Sequence, residues 1–201
     1  MRAINILRIA LCLFAANVSA EDGLERCVGK ICVSAKENLM QFKAKWSANI
    51  APSKTRTPDS YPVLCLWDQK RHLSYQFEFI GTHGGSGPMD APVGKTQLGE
   101  ITISQSDFCK SAQNKKGNIA ESFMSQMLGK NISEVMLKKG KPYRIDDINE
   151  VQRSQSNVNS PVEKIAKQYV YLLNPEATLL INSYYTNSIG KIVRTSISER
   201  P

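Results

Sequence analysis

Apolar residues recur at two different periods along this chain, and the changes of period mark its elements. Ala35, Leu39, Phe42 and Trp46 return three or four residues apart, the spacing that lines one face of a helix. Ser34 followed by Glu37 supplies a capping box, so a helix is predicted over 35–47. IAPSKTRTPDSYP, residues 50–62, breaks the pattern with three prolines and reads as a loop. The period then becomes two: Leu73, Tyr75, Phe77 and Phe79 alternate with Ser74, Gln76 and Glu78. Residues 62–81 therefore predict an antiparallel hairpin turning at DQKR, with one dry and one wet face. Cys65 and Trp67 share a face of its first strand, which predicts a disulfide beside the aromatic row. Glu100 to Ser104 alternates again and predicts a third strand, reached through the loop GTHGGSGPMDAPVGKT, residues 81–96.

A second helix is predicted over 119–128, opened by Asn118 with Glu121 and closed by Gly129. SEVMLKKGKPYRI suggests a hairpin turning at KKGK, with a short helix ending at Gly140 as its competitor. Residues 153–160 are a polar connector. Ser160, Pro161 and Glu163 then give a cap, a first-turn proline and an acid, the strongest helix start in the chain. Val162, Ile165, Ala166, Tyr169, Leu172 and Leu173 follow at helical spacing until Asn174 and Pro175. Two β-rich runs around NSIGK predict a final hairpin. Helix then hairpin occurs near both ends, but the residues do not align as a repeat. The expected architecture is α+β: about three helices packed on a mostly antiparallel sheet built from hairpins and stapled by disulfides.

The N-terminus changes the setting. Arg2 and Arg8 precede an apolar run from Ile9 to Ala16, and Val18, Ser19 and Ala20 supply small residues for cleavage, so residues 1–20 read as a signal peptide. The run is far shorter than the roughly 20 residues a membrane-spanning helix needs. Residues 21–201 fit a single exported domain, periplasmic or secreted, without a membrane span. Cys12 departs with the leader and leaves an even four cysteines, which in an oxidising compartment implies two disulfides. Three pairings exist. Cys27 with Cys32 and Cys65 with Cys109 is preferred, because the glycine in CVGKIC lets the chain turn back. The cysteine spacings do not form the paired short spacings of a zinc site.

Without Arg2 and Arg8, 24 basic side chains face 18 acidic ones, a net charge of +6. The excess lies in residues 110–153, with nine Lys or Arg against five acids. Such a face suits an acidic protein, a glycan or lipid headgroups. Nucleic acid is disfavoured, because export removes that partner and the lysines are not interleaved with aromatics.

Candidate chemistry centres on the 81–96 loop. Its terminal GKT fails as a phosphate-binding loop, since Met89 stands where a glycine is required and a strand follows instead of a helix. Ser86 as nucleophile and His83 as base would make a hydrolase, but Pro88 replaces the last glycine of the nucleophile-elbow pattern. His72 and His83 lack metal-ligand spacing, and neither a metal nor a cofactor is expected. Glu78 and Glu100, on separate strands, could face each other or solvent, and a solvated strand face is the default reading. Asn131 heads a glycosylation sequon. The leading expectation is a small exported binding module for a protein partner, such as an inhibitor or immunity protein capping a hydrolase or toxin. Its expected contacts are His83, Ser86, Met89 and Asp90 on the loop, and Lys138, Lys139 and Lys141 on the basic face. The alternatives are an envelope hydrolase using His83 and Ser86, and an assembly component of a secretion or surface apparatus.

Overall fold

The structure is a computed structural model that describes residues 26–33, 37–50, 63–81, 96–111, 121–148, 165–174 and 179–200. Cys27–Val28 (β1) and Ile31–Cys32 (β2) pair as a small ribbon, followed by Leu39–Trp46 (α1) and Asn49–Ile50 (β3). Leu64–Asp68 (β4), Leu73–Gly81 (β5) and Thr96–Ser104 (β6) come next, then two short helices, Phe123–Met127 (α2) and Ile132–Lys139 (α3). Arg144–Asp147 (β7), Lys167–Asn174 (β8), Leu179–Thr186 (β9) and Ile192–Arg200 (β10) complete the chain. β3 to β10 form one antiparallel sheet in the order β3-β4-β5-β6-β10-β9-β8-β7. The chain thus runs as a meander to β6, crosses through α2 and α3 to the far edge, and returns until β10 pairs with β6. The fold is mostly antiparallel sheet; the three helices among the described residues are short, so the α+β expectation is met only loosely.

Register separates the two faces of the sheet. Leu64 opposes Phe77 and Leu66 opposes Tyr75, and Phe77 and Tyr75 in turn oppose Ile101 and Ile103. Directly opposed residues share a face, and this one is the core. Phe42 of α1 meets Phe77 and Phe79 at ring separations of 4.8 and 5.4 Å, while Met124, Met127, Ile132 and Val135 of the other helices join the same cluster. Val28 and Ile31 bring the ribbon into it as well.

Both preferred disulfides are present, Cys27–Cys32 and Cys65–Cys109. The second lies on the other face of the sheet, not beside the aromatic row. Cys65 opposes Gln76 and Trp67 opposes Ser74, so the cystine packs with Trp67 and Val63 opposite the core. Ser74 holds the returning chain there, accepting from Cys109 N at 2.9 Å and donating to Ser106 O at 2.5 Å.

The helix boundaries moved because other residues act as the caps. Asn38, not Ser34, caps α1: its side chain accepts from Gln41 N while the Gln41 side chain accepts from Asn38 N. Ser122 with Ser125 replaces Asn118 with Glu121 at the start of α2. At KKGK the helix prevails over the hairpin, since Asn131 caps α3, Ile132 and Val135 are buried, and Gly140 ends it at φ 78°. The third predicted helix is overturned: residues 167–174 are strand β8, and its proposed start at 160–163 lies outside the described residues. Tyr169, Val170 and Tyr171 are strand formers, and β7 and β9 flank them on both sides; the Tyr171 ring meets Tyr184 edge-on at 5.7 Å. The two expected hairpins, 62–81 and the C-terminal pair, are present as β4–β5 and β9–β10.

The β4–β5 turn is tied to α2 by a part-buried network. Arg71 Nε reaches Asp68 Oδ2 at 2.6 Å, and its Nη2 donates to Tyr75 OH at 3.0 Å. Glu121 Oε1 stands 3.7 Å from the same guanidinium. Burial pushes the Tyr75 hydroxyl up to about 12, against the opposing pull of Arg71. Above the ordinary tyrosine value of about 10 the unfolded chain has released this proton and the folded chain still holds it. Stability is therefore expected to fall by about 1.4 kcal/mol per pH unit between about 10 and 12 on account of Tyr75. Urea unfolding across that range should show the slope, and Tyr75→Phe should reduce it by about one proton's worth.

Candidate functional site

Beyond the cystine and Trp67 on β4, the face opposite the core is mostly polar. One row runs Gln76, Thr102, Ser196, Ser183, Val170, Arg144; the next runs Glu78, Glu100, Ser198, Ile181. A third carries Ser74, Ser104, Arg194, Tyr185 and Gln168. Residues from β5 to β7 line a single cleft of about 230 Å³, so this is the concave side of the sheet.

The cleft is chemically graded along the strand order. Glu78 and Glu100 come from β5 and β6, Ser183, Ser196, Ser198, Tyr185 and Gln168 from β10, β9 and β8, and Arg144 from edge strand β7. Gln168 Nε2 donates to Ser183 Oγ at 2.9 Å and to Tyr185 OH at 3.3 Å, fixing the orientation of its amide. The Arg194 guanidinium stacks 3.9 Å from the Tyr185 ring centre and braces it. Thr102 Oγ1 donates to Glu100 Oε1 at 3.2 Å, and Gln97 Nε2 to Glu199 Oε2 at 3.4 Å. The register slips by one residue between Glu78 and Phe79, leaving Gly99 as the extra residue of a bulge. A Cβ at Gly99 would meet Ile80 Cγ2 at 2.7 Å, so glycine there leaves room for the Ile80 side chain.

Glu78 and Glu100 are direct cross-strand partners, and Glu78 is exposed while Glu100 is half-buried, so the solvated reading holds for Glu78. Like charges placed directly opposite repel one another. Their alternation with apolar neighbours put both on a wet face, but only the register of β5 against β6 places them opposite one another. Phe79, Ile80 and Gly99 add to the β5 and β6 side, and the other cleft residues come from β7 to β10, part of which had been read as a helix.

The expected contact residues divide. His83, Ser86, Met89 and Asp90 lie outside the described residues. The ends of their loop do not: Gly81 pairs with Thr96, and Ile80 and Gly99 beside them line the cleft. Lys138 and Lys139 occupy the last turn of α3, where they favour the helix dipole, and each ammonium stands 5.2 Å from the Phe123 ring centre. Lys141 follows exposed. Asn131 accepts from Ser133 N as the α3 cap. Among the described residues no group of His, Cys, Asp and Glu could hold a metal ion, and no helix is long and apolar enough to cross a membrane.

Fold and site together define a disulfide-stapled antiparallel-sheet domain, helices on one face and a graded polar cleft on the other. Comparison with protein families, with curated proteins and with solved structures finds no match for this chain.

Proposed function

We propose that the protein is an exported binding module of the cell envelope or extracellular space that holds a protein partner, as an inhibitor or immunity-type protein capping a hydrolase or toxin does. The observation that carries this reading is the cleft on the concave face beside the base of the 81–96 loop. Its volume of about 230 Å³ is below the roughly 300 to 1,000 Å³ of small-molecule pockets and suits one or two protruding side chains of a larger partner. Strands held by backbone pairing and a cystine keep the lining groups in place before binding, which limits the ordering cost. Two disulfides accord with an oxidising compartment.

Ser198→Trp is the test, because Ser198 lines the cleft at a half-buried position where an indole would occupy it. The partner retained by wild-type protein from the native exported fraction should lose affinity at least about tenfold, the scale of a filled hot-spot pocket. The unfolding midpoint should stay near the wild-type value. Replacing residues 84–92 by Gly-Ser should also weaken binding while leaving stability nearly unchanged, since closure entropy depends slowly on loop length. Wild-type affinity in both variants would refute the proposal.

A hydrolase remains the second reading, and the pairing of Glu78 with Glu100 is the observation in its favour. Directly opposed Cβ atoms lie about 4.5 to 5.5 Å apart, compatible with the roughly 5 Å carboxyl separation of retaining glycosidases. Polysaccharide hydrolysis by the wild type that Glu78→Gln abolishes would put this reading first.

A further inference from the structure

The outer surface of α3 collects basic and apolar groups from two distant parts of the chain. The β9–β10 turn is docked on the start of the helix: Ile132 N donates to Gly190 O at 3.0 Å, and Ile192 N to Lys130 O at 2.8 Å. Ile189 in that turn is 76% exposed. Ile132 and Val135 face the core, so Leu137 points outward and is 86% exposed. Tyr143, just past the helix, is 70% exposed. The same segments carry Lys130, Lys138, Lys139, Lys141 and Lys191. α3 has eight residues, about 12 Å of helix, so these groups share one small region. Glu134 pairs with Lys130 at 3.4 Å, which leaves the cationic character of the surface to the other lysines; Asp146 pairs with Arg144 at 2.8 Å and Asp147 with Lys167 at 3.6 Å.

We propose that this surface docks on an anionic phospholipid leaflet, with Leu137, Tyr143 and Ile189 entering the interface while the lysines meet the headgroups. The composition favours lipid over protein. Protein interfaces deplete lysine and gather their apolar residues into a charge-poor centre. Here the apolar groups protrude singly from a helix, a turn and an irregular segment, with lysines among them. Protruding Leu and aromatic groups on a lysine-rich surface are what the headgroup boundary accepts, and lysine stems lie along acyl chains while their ammonium groups reach phosphates. α3 packs on the core face and the cleft opens on the other, so leaflet and partner can be held together.

Co-sedimentation with phosphatidylcholine vesicles, with and without about 30 mol % phosphatidylglycerol, tests the proposal. The protein should pellet only with the anionic vesicles, and less as salt screens the lysines. Lys138→Gln combined with Lys141→Gln should weaken binding about 30-fold, at roughly fivefold per lysine. Leu137→Ser with Tyr143→Ser should weaken it about tenfold or more, with circular dichroism unchanged, since both side chains are exposed. Failure to bind anionic vesicles, equal binding to neutral ones, or indifference to either pair of substitutions overturns the proposal. If vesicles do not bind but the lysine pair weakens partner capture, the surface is a protein contact instead.

Discussion

Replacing Cys65 and Cys109 together by alanine is expected to lower the free energy of unfolding by about 4 kcal/mol. The bond joins positions separated by 44 residues, and releasing a loop of that length restores about that much conformational entropy to the unfolded chain. Both cysteines are fully buried, and the bond holds the chain after β6 against β4. Opening the Cys27–Cys32 bond, with a separation of five, should cost only about 2 kcal/mol by the same relation. Urea unfolding of the two double variants checks the contrast. Equal losses would mean that loop entropy does not govern the stability these bonds confer. For a domain whose total stability is about 5 to 15 kcal/mol, the larger loss approaches the folding threshold. Thiol labelling should find four cysteines only after reduction.

Arg71→Met is expected to cost about 3 kcal/mol or more, because it leaves a buried carboxylate without its cation. Asp68 is 6% exposed and meets Arg71 twice, through Nε at 2.6 Å and the backbone N–H at 3.1 Å. Only the backbone bond survives in the variant, and Tyr75 OH and Ser125 Oγ lose a donor at the same time. Adding Asp68→Asn should recover part of the loss, since a neutral amide tolerates burial better than an unpaired charge. Lys45→Met gives the comparison: its pair with Glu37 is exposed, and breaking it should change stability by less than about 1 kcal/mol. Losses of similar size in Arg71→Met and Lys45→Met would show that burial does not set the value of the first pair.

The legible parts of the fold were those with short-range causes. Leu73, Tyr75, Phe77 and Phe79 alternate strictly, and β5 was read correctly because alternation buries one side of a strand whatever its neighbours are. Residues 162–173 misled because Val162, Ile165, Tyr169 and Leu172 satisfy helical spacing. Tyr169 and Tyr171 satisfy strand alternation as well, and β7 and β9 decide between the two by pairing on both sides. Caps failed by a few residues for a similar reason, since Ser34, Asn38, Asn118 and Ser122 are all competent and burial of Leu39, Phe42, Met124 and Met127 selects among them. The cleft was invisible. Its lining is spread from Glu78 to Glu199, and no local pattern links residues that meet only through strand order.

The sequence by itself determined what depends on residue type and near neighbours: two disulfides from the four cysteines that follow the expected leader, the two hairpins from alternation around a turn, and a helix ending at Gly140 as one of two local options. Tertiary structure alone decided that β10 pairs with β6, that Glu78 stands opposite Glu100, and that the Cys65–Cys109 bond lies away from the aromatic core. The reason is physical. Turning and capping energies are settled within a few residues, whereas the register of non-local strands is set by burying a whole sheet face at once, and a shift of one residue would exchange the faces.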